Sequence, residues 1–109
     1  MSPRAIPLLL VVAGVAAQAD EPIGFQDGLR LMHKYNCQQC HAVDKTLAGP
    51  SLQAIAKRYA SDPNARNEVA ANILNGSTGA WGPLPMASVH VSQTDLRPLV
   101  DWILSLTNN

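Results

Sequence analysis

Cys37-Gln38-Gln39-Cys40-His41 decides how the rest of this 109-residue chain is read. Two thiols three positions apart with a histidine directly after them form the pattern of c-type haem attachment. The spacing has a chemical reason. Sulfurs one helical turn apart can each add to one of the two vinyl groups of a haem, and the imidazole that follows is then held under the iron. An iron-binding imidazole uses a neutral nitrogen, while its other ring N–H needs an orienting acceptor.

Three other chemistries could use the same residues. A structural zinc site needs four ligands, and the chain has two cysteines and three histidines (His33, His41 and His90) with no second cysteine pair and no spaced histidine pair. A thioredoxin-like redox pair sits on alternating strands and helices, a pattern this chain lacks. A Cys37–Cys40 disulfide would close a very small loop for little entropic gain. Haem attachment is the reading that context supports.

That context begins at the N-terminus. Met1 to Arg4 carries the only early positive charge, Ala5 to Ala17 is an apolar run of signal-peptide length, and Ala17-Gln18-Ala19 fits the small-x-small cleavage rule. A membrane anchor would need about 20 apolar residues, whereas this run contains Pro7 and stops at Gln18 and Asp20. The expected organisation is a cleaved signal peptide over 1–19 and one domain over 20–109, with no stable membrane insertion after cleavage. Export also matches the periplasm, the compartment in which bacteria attach c-type haem. A domain of roughly 90 residues has a marginal apolar core, and a covalent haem would fill the deficit.

The whole chain carries 8 Lys and Arg against 8 Asp and Glu; loss of Arg4 with the leader leaves 8 − 1 = 7 against 8. No strong field then steers the protein to nucleic acid or to an anionic membrane.

Phe25, Leu29 and Met32 fall at i, i+4 and i+7, which predicts a helix running toward Cys37 with Arg30 and Lys34 outward. Gly28 lies on or beside that apolar face; a mid-helix glycine costs about 1 kcal/mol relative to alanine, and its use would be close approach of another helix. His33 reads as a surface residue. Ala42 to Gly49 reads as a loop, and Pro50 opens a short helix carrying Leu52, Ile55 and Tyr59. Asp62-Pro63 reads as a cap and first-turn proline for a third helix with Val69, Ile73 and Leu74, stopping at Asn75-Gly76. Leu96, Leu99, Val100, Ile103 and Leu104 follow the i, i+3, i+4, i+7, i+8 pattern of a C-terminal amphipathic helix. Pro98 predicts a kink there, or a helix start as late as about Asp95. No strand signal or internal repeat is present, so the fold class is all-α.

The sixth iron position separates a carrier from a ligand-binding or catalytic haem. Met32 lies on a core face and His33 is too near Cys37 to reach the distal side. Met86 and His90 remain. The stretch from Gly76 to Val91 holds three glycines and two prolines, and Trp81-Gly82-Pro83-Leu84-Pro85-Met86 is a stiff loop of the kind that fixes one side chain in one place. Met86 is favoured as the ligand, with His90 the rival and core filling the ordinary use of a lone methionine.

At this point the chain resembles the class I c-type cytochromes, in particular the short bacterial cytochrome c-551 type. The resemblance runs from about Phe25 to Leu106 and rests on Cys37 to His41, Gly49-Pro50, Asn75-Gly76-Ser77 through Trp81-Gly82-Pro83, Pro85-Met86, and Trp102-Ile103-Leu104-Ser105. It implies about four helices wrapped around one haem c, covalent through Cys37 and Cys40, with His41 and Met86 on the iron. It further implies that the Pro50 carbonyl accepts from the His41 ring N–H, and that Trp81 reaches a haem propionate, with plain packing as the alternative for Trp81. Trp102 would pack the last helix across the attachment helix near Gly28. The chain departs from the family where two prolines and an asparagine that donates to the methionine sulfur are replaced by Ala87, Ser88 and Val89. Val89 has no side-chain donor, so that hydrogen bond is lost.

The function so implied is that of a periplasmic monohaem one-electron carrier, not an enzyme. Its partners would be periplasmic redox proteins, a reductase or an oxidase, and it would be a monomer or a subunit of a heteromeric redox complex. The rivals are a dedicated haem subunit of a periplasmic oxidoreductase and, from a different class, a haem enzyme or gas-binding sensor, for which no acid-base group stands near Met86 unless His90 swings in. The uncharged residues around the expected haem edge, among them Gln38, Gln39, Val43 and Leu84, imply apolar docking, with Lys45 the nearest basic side chain.

Overall fold

The computed structural model describes residues 2–11, 14 and 21–107. The expected cleavage site at Ala17-Gln18-Ala19 lies outside them. Among the described residues no helix is long and apolar enough to cross a membrane.

Four α-helices and one 3-10 turn make the fold, and no strand is present among the described residues, as the all-α reading requires. Helix α1 spans Phe25–Lys34 and leads through Tyr35 and Asn36 into the turn Cys37–Gln39; α2 spans Leu52–Arg58, α3 Ala65–Asn75 and α4 Gln93–Leu104. Helix α4 packs on each of the other three, whereas the backbone of α1 makes no close approach to α2 or α3. The core therefore gathers on α4: Leu99, Val100, Trp102 and Ile103 are buried against Met32, Leu52, Val69 and Ile73. The α1–α4 crossing is close because position 28 has no side chain. A Cβ built on Gly28 would lie 2.0 Å from Trp102 Cε2. Trp102 fills that space and is 1% exposed, while the Phe25 ring covers it at 6.0 Å, tilted by 56°.

Several helix starts differ from expectation. Helix α2 begins at Leu52, not Pro50, because Ser51 caps it by accepting from the Ala54 N–H at 3.0 Å. Helix α3 begins at Ala65: the Asp62 carboxylate accepts from the Asn64 N–H at 2.8 Å, closing a turn before the helix, so Asp62-Pro63 shapes its approach and not its first turn. Leu74 is 41% exposed. Helix α4 starts at Gln93 under a Ser92 cap, so Pro98 stands inside it. The bond Pro98 cannot donate would reach the Thr94 carbonyl, and Thr94 is exposed to water.

The end of α1 is clasped to the start of α4. The Tyr35 hydroxyl donates to Asp95 Oδ2 at 2.6 Å and lies 3.2 Å from Ser92 Oγ; Lys34 Nζ also reaches Asp95 Oδ2, at 2.8 Å. Lys34, and then Tyr35, hold the Asp95 carboxyl below its ordinary range. A depressed folded-state pKa contributes stability that is complete above the unfolded value, about 3.9 for aspartate, and is lost as pH falls through the folded one. Thermal melts should therefore show a fall on acidification below about pH 4 that Asp95→Asn flattens. An unchanged acid limb in that variant would mean the clasp adds nothing.

Candidate haem-binding site

The attachment turn is built by a change of backbone hand. Asn36 takes φ 60°, ψ 26°, the left-handed region that asparagine tolerates better than most residues. The chain then closes on itself: the Cys40 and His41 N–H groups both donate to the Cys37 carbonyl, at 3.1 and 2.9 Å. Both thiols are free, Cys40 exposed and Cys37 half-buried against the core. Burial pushes the Cys37 thiol up.

His41 is held from behind. Its segment is zipped to the start of α2 by Gly49 N–H to Cys40 O at 2.8 Å, Leu52 N–H to Ala42 O at 2.9 Å and Gln53 N–H to Val43 O at 3.0 Å. These bonds bring the Pro50 carbonyl within 2.7 Å of His41 Nδ1. A carbonyl only accepts, so Nδ1 carries the proton and Nε2 is left with its lone pair. The ring also lies against the Gly49 backbone, where a Cβ would sit 2.5 Å from His41 Cε1. The Pro50 carbonyl is thus within hydrogen-bond reach of the His41 ring, and Gly49 leaves the ring its space.

The methionine loop is pinned to the end of α3. Ser77 and Met86 exchange both backbone hydrogen bonds, at 3.0 and 2.8 Å, and the Val89 N–H donates to the Ile73 carbonyl at 2.7 Å. Gly76 has φ +73°, and a Cβ there would meet the Met86 carbonyl at 2.5 Å. Met86 is half-buried, packing on the same core as Cys37 and Val43, while its rival His90 is exposed.

Trp81 is 39% exposed. The Arg58 guanidinium lies over its ring, 4.3 Å from the centroid, and donates to the Ala80 carbonyl at 2.5 Å. Arg58, Ser51 and Tyr35 hold structural roles that no functional motif in the sequence announces. Ser51 has a local signal as a capping serine ahead of a helix, whereas Arg58 and Tyr35 act through partners far along the chain.

The donor set fits a haem c: two free thiols on one turn, and an imidazole whose tautomer is fixed with one nitrogen left to bind metal. A helical fold around such a turn defines a c-type cytochrome. The family model described as cytochrome c matches residues 25–107. This chain belongs to that family, as a class I c-type cytochrome of the c-551 type. It is 43% identical over 98 residues to cytochrome c-552 of Nitrosomonas europaea, covering 89% of this chain and 86% of the relative. It is 38% identical over 101 residues to cytochrome c-551 of Stutzerimonas stutzeri, covering 93% and 94%. The crystal structure of wild-type Nitrosomonas europaea cytochrome c552 superposes with a TM-score of 0.68 at 43% identity, over 72% of this chain and 98% of that one. A class 1 cytochrome from Sideroxydans lithotrophicus gives 0.64 at 27% identity, over 76% and 96%. The family implies covalently bound haem c and a role in electron transfer.

Proposed function

We propose that this protein is a periplasmic one-electron carrier holding a single haem c, joined through Cys37 and Cys40, with His41 and Met86 as axial ligands. Residues 1–19 serve as its export leader and 20–109 as the mature domain. The observation that carries the reading is the 2.7 Å bond from His41 Nδ1 to the Pro50 carbonyl, which leaves Nε2 as the nitrogen available to iron. When bound, the haem supplies one-electron chemistry between ferric and ferrous iron.

The chain's own residues set the conditions for that chemistry. Two ligands fixed by backbone contacts, His41 by Pro50 and Gly49, Met86 by Ser77 and Gly76, keep their places in either oxidation state. An apolar surround disfavours the extra positive charge of ferric iron and raises the midpoint potential. Arg58 and Trp81 offer donors for the haem carboxylates. Leu84, 66% exposed, is available for apolar contact with a reductase or oxidase, within the small interface typical of transient electron-transfer encounters.

The test is spectroscopic. Made in a periplasm with haem-maturation machinery, the protein should carry covalent low-spin haem, and its ferric form should show the near-infrared band of methionine ligation. A high-spin ferric spectrum would overturn the carrier reading.

A second expectation concerns Val89, whose apolar side chain replaces the family's asparagine donor to the methionine sulfur. The Met86–iron bond should be more labile than in relatives that keep the asparagine. Val89→Asn should raise the pH at which the near-infrared band disappears; no upward shift would falsify the idea.

A further inference from the structure

The residues assigned to the haem, from Cys37 to Met86, lie on one stretch of chain whose two ends meet. Tyr35 stands two residues before Cys37, and Ser92 directly follows Val91 at the exit of the methionine loop. The phenol of Tyr35 is 3.2 Å from Ser92 Oγ, accepts from the Ser92 backbone N–H at 3.3 Å, and donates to Asp95 Oδ2 at 2.6 Å. The loop's other anchors are Val89 to Ile73 of α3, Arg58 of α2 to Ala80, and Ser77 to Met86, which closes the loop on itself.

Helix α1, which leads into the cysteines, makes its close backbone approach to α4 and not to α2 or α3. On its α1 side the thiol turn is therefore held in register with the methionine loop through α4, while α2 joins the two from the His41 side. Between α1 and α4, Trp102 lies against Gly28 and Phe25 toward the start of α1, and Tyr35 and Lys34 reach Asp95 at the end nearest the site.

We propose that Tyr35 is a positioning residue for the sixth ligand: its phenol, held by Asp95 and Ser92, fixes the exit of the methionine loop against the attachment helix and so keeps Met86 seated. The Tyr35 hydroxyl bonds to Asp95 and Ser92 and to neither ligand. It acts by closing the segment that carries both. Lys34 adds only an exposed cation to Asp95, with its side chain 59% exposed, so the neutral phenol is the stronger constraint. The proposal rests on Met86 being the sixth ligand.

The test uses the ferric holoprotein, with imidazole as the probe that competes for the sixth position. Tyr35→Phe keeps the ring and deletes the hydroxyl. A lost hydrogen bond to a charged group corresponds to a shift of about tenfold in the closed-to-open ratio, and imidazole affinity should rise by about that factor. The near-infrared band should also vanish at a lower pH than in the parent. Asp95→Asn, which keeps an acceptor for the phenol, should move both readouts in the same direction by less.

Arg66→Gln serves as the control for general loss of stability. It deletes an ion pair from α3 to Asp101 of α4, at 2.7 Å, without touching the clasp. At a matched fall in thermal midpoint it should leave imidazole affinity within about twofold, as expected of a change that leaves the open state unfavoured. If Tyr35→Phe raises imidazole affinity no more than Arg66→Gln does, the positioning role is wrong while the ligand assignment stands. If Met86→Ala itself leaves the affinity unchanged, the ligand assignment fails and takes the proposal with it.

Discussion

Replacing Met86 by alanine is expected to open the iron and to lower the midpoint potential. The thioether is a soft ligand that favours ferrous iron, and alanine leaves that position to water or to an added ligand. Axial ligand identity tunes haem potentials over roughly 0.8 V, so a fall on the order of 100 mV or more should follow for this change alone. Imidazole on the ferric form and carbon monoxide on the ferrous form should each bind at least about tenfold more tightly, a difference of about 1.4 kcal/mol. The fold should survive, because the backbone of residue 86 is held by Ser77 whatever its side chain. Met32→Leu should change neither potential nor ligand affinity, since Met32 is a core residue, 3% exposed. Should Met86→Ala leave both readouts untouched while His90→Ala alters them, the sixth ligand is His90.

The parts of this protein that sequence made legible are those whose signal is local or whose chemistry constrains spacing. The attachment motif needs its two sulfurs and its imidazole on one turn, so five residues announce a cofactor. The helical faces of α1, α3 and α4 show as periodic apolar positions, and Gly76 marks the end of α3 because only a residue at ease with φ +73° closes the helix against the Met86 carbonyl. Helix starts were less legible. Ser51 and Pro50 are adjacent, and the proline drew the boundary although the serine makes the cap. Asp62 has the residue type of a cap, yet its carboxylate is engaged two residues on, before the helix begins. Pro98 predicts a kink or a late start; the start is not late, because the missing donor faces a solvated carbonyl and the Ser92 cap fixes the start at Gln93.

Tertiary pairings were illegible for a different reason. Tyr35 and Asp95 are 60 positions apart, and Arg58 and Ala80 are 22 apart. Nothing in either member of such a pair names the other. The Gly28–Trp102 contact is the exception, reached through the resemblance together with the oddity of a glycine inside an amphipathic helix.

That contact yields the largest expected effect on stability. Gly28→Ala places a Cβ where the Trp102 ring already lies, 2.0 Å from Cε2 and 2.1 Å from Cδ2. Neither partner has room to give, since Trp102 is 1% exposed and α4 is packed on all three other helices. Overpacking of this kind costs about 1–3 kcal/mol, and a rigid ring meeting backbone-borne carbon belongs at the upper end. For a domain of this size about 3 kcal/mol lowers the thermal midpoint by roughly 12–24 °C, and Gly28→Val should prevent holoprotein from accumulating. A helix forced outward at Gly28 also shifts the end that carries Cys37, so the near-infrared band of surviving Gly28→Ala protein should weaken at a lower pH than in the parent. Cutting the ring back should relieve the clash: Gly28→Ala combined with Trp102→Leu should lose less than the two single variants added together, as coupled neighbours do. Strict additivity, or a Gly28→Ala melt within a degree of the parent, would show that α1 does not depend on the missing side chain to reach α4.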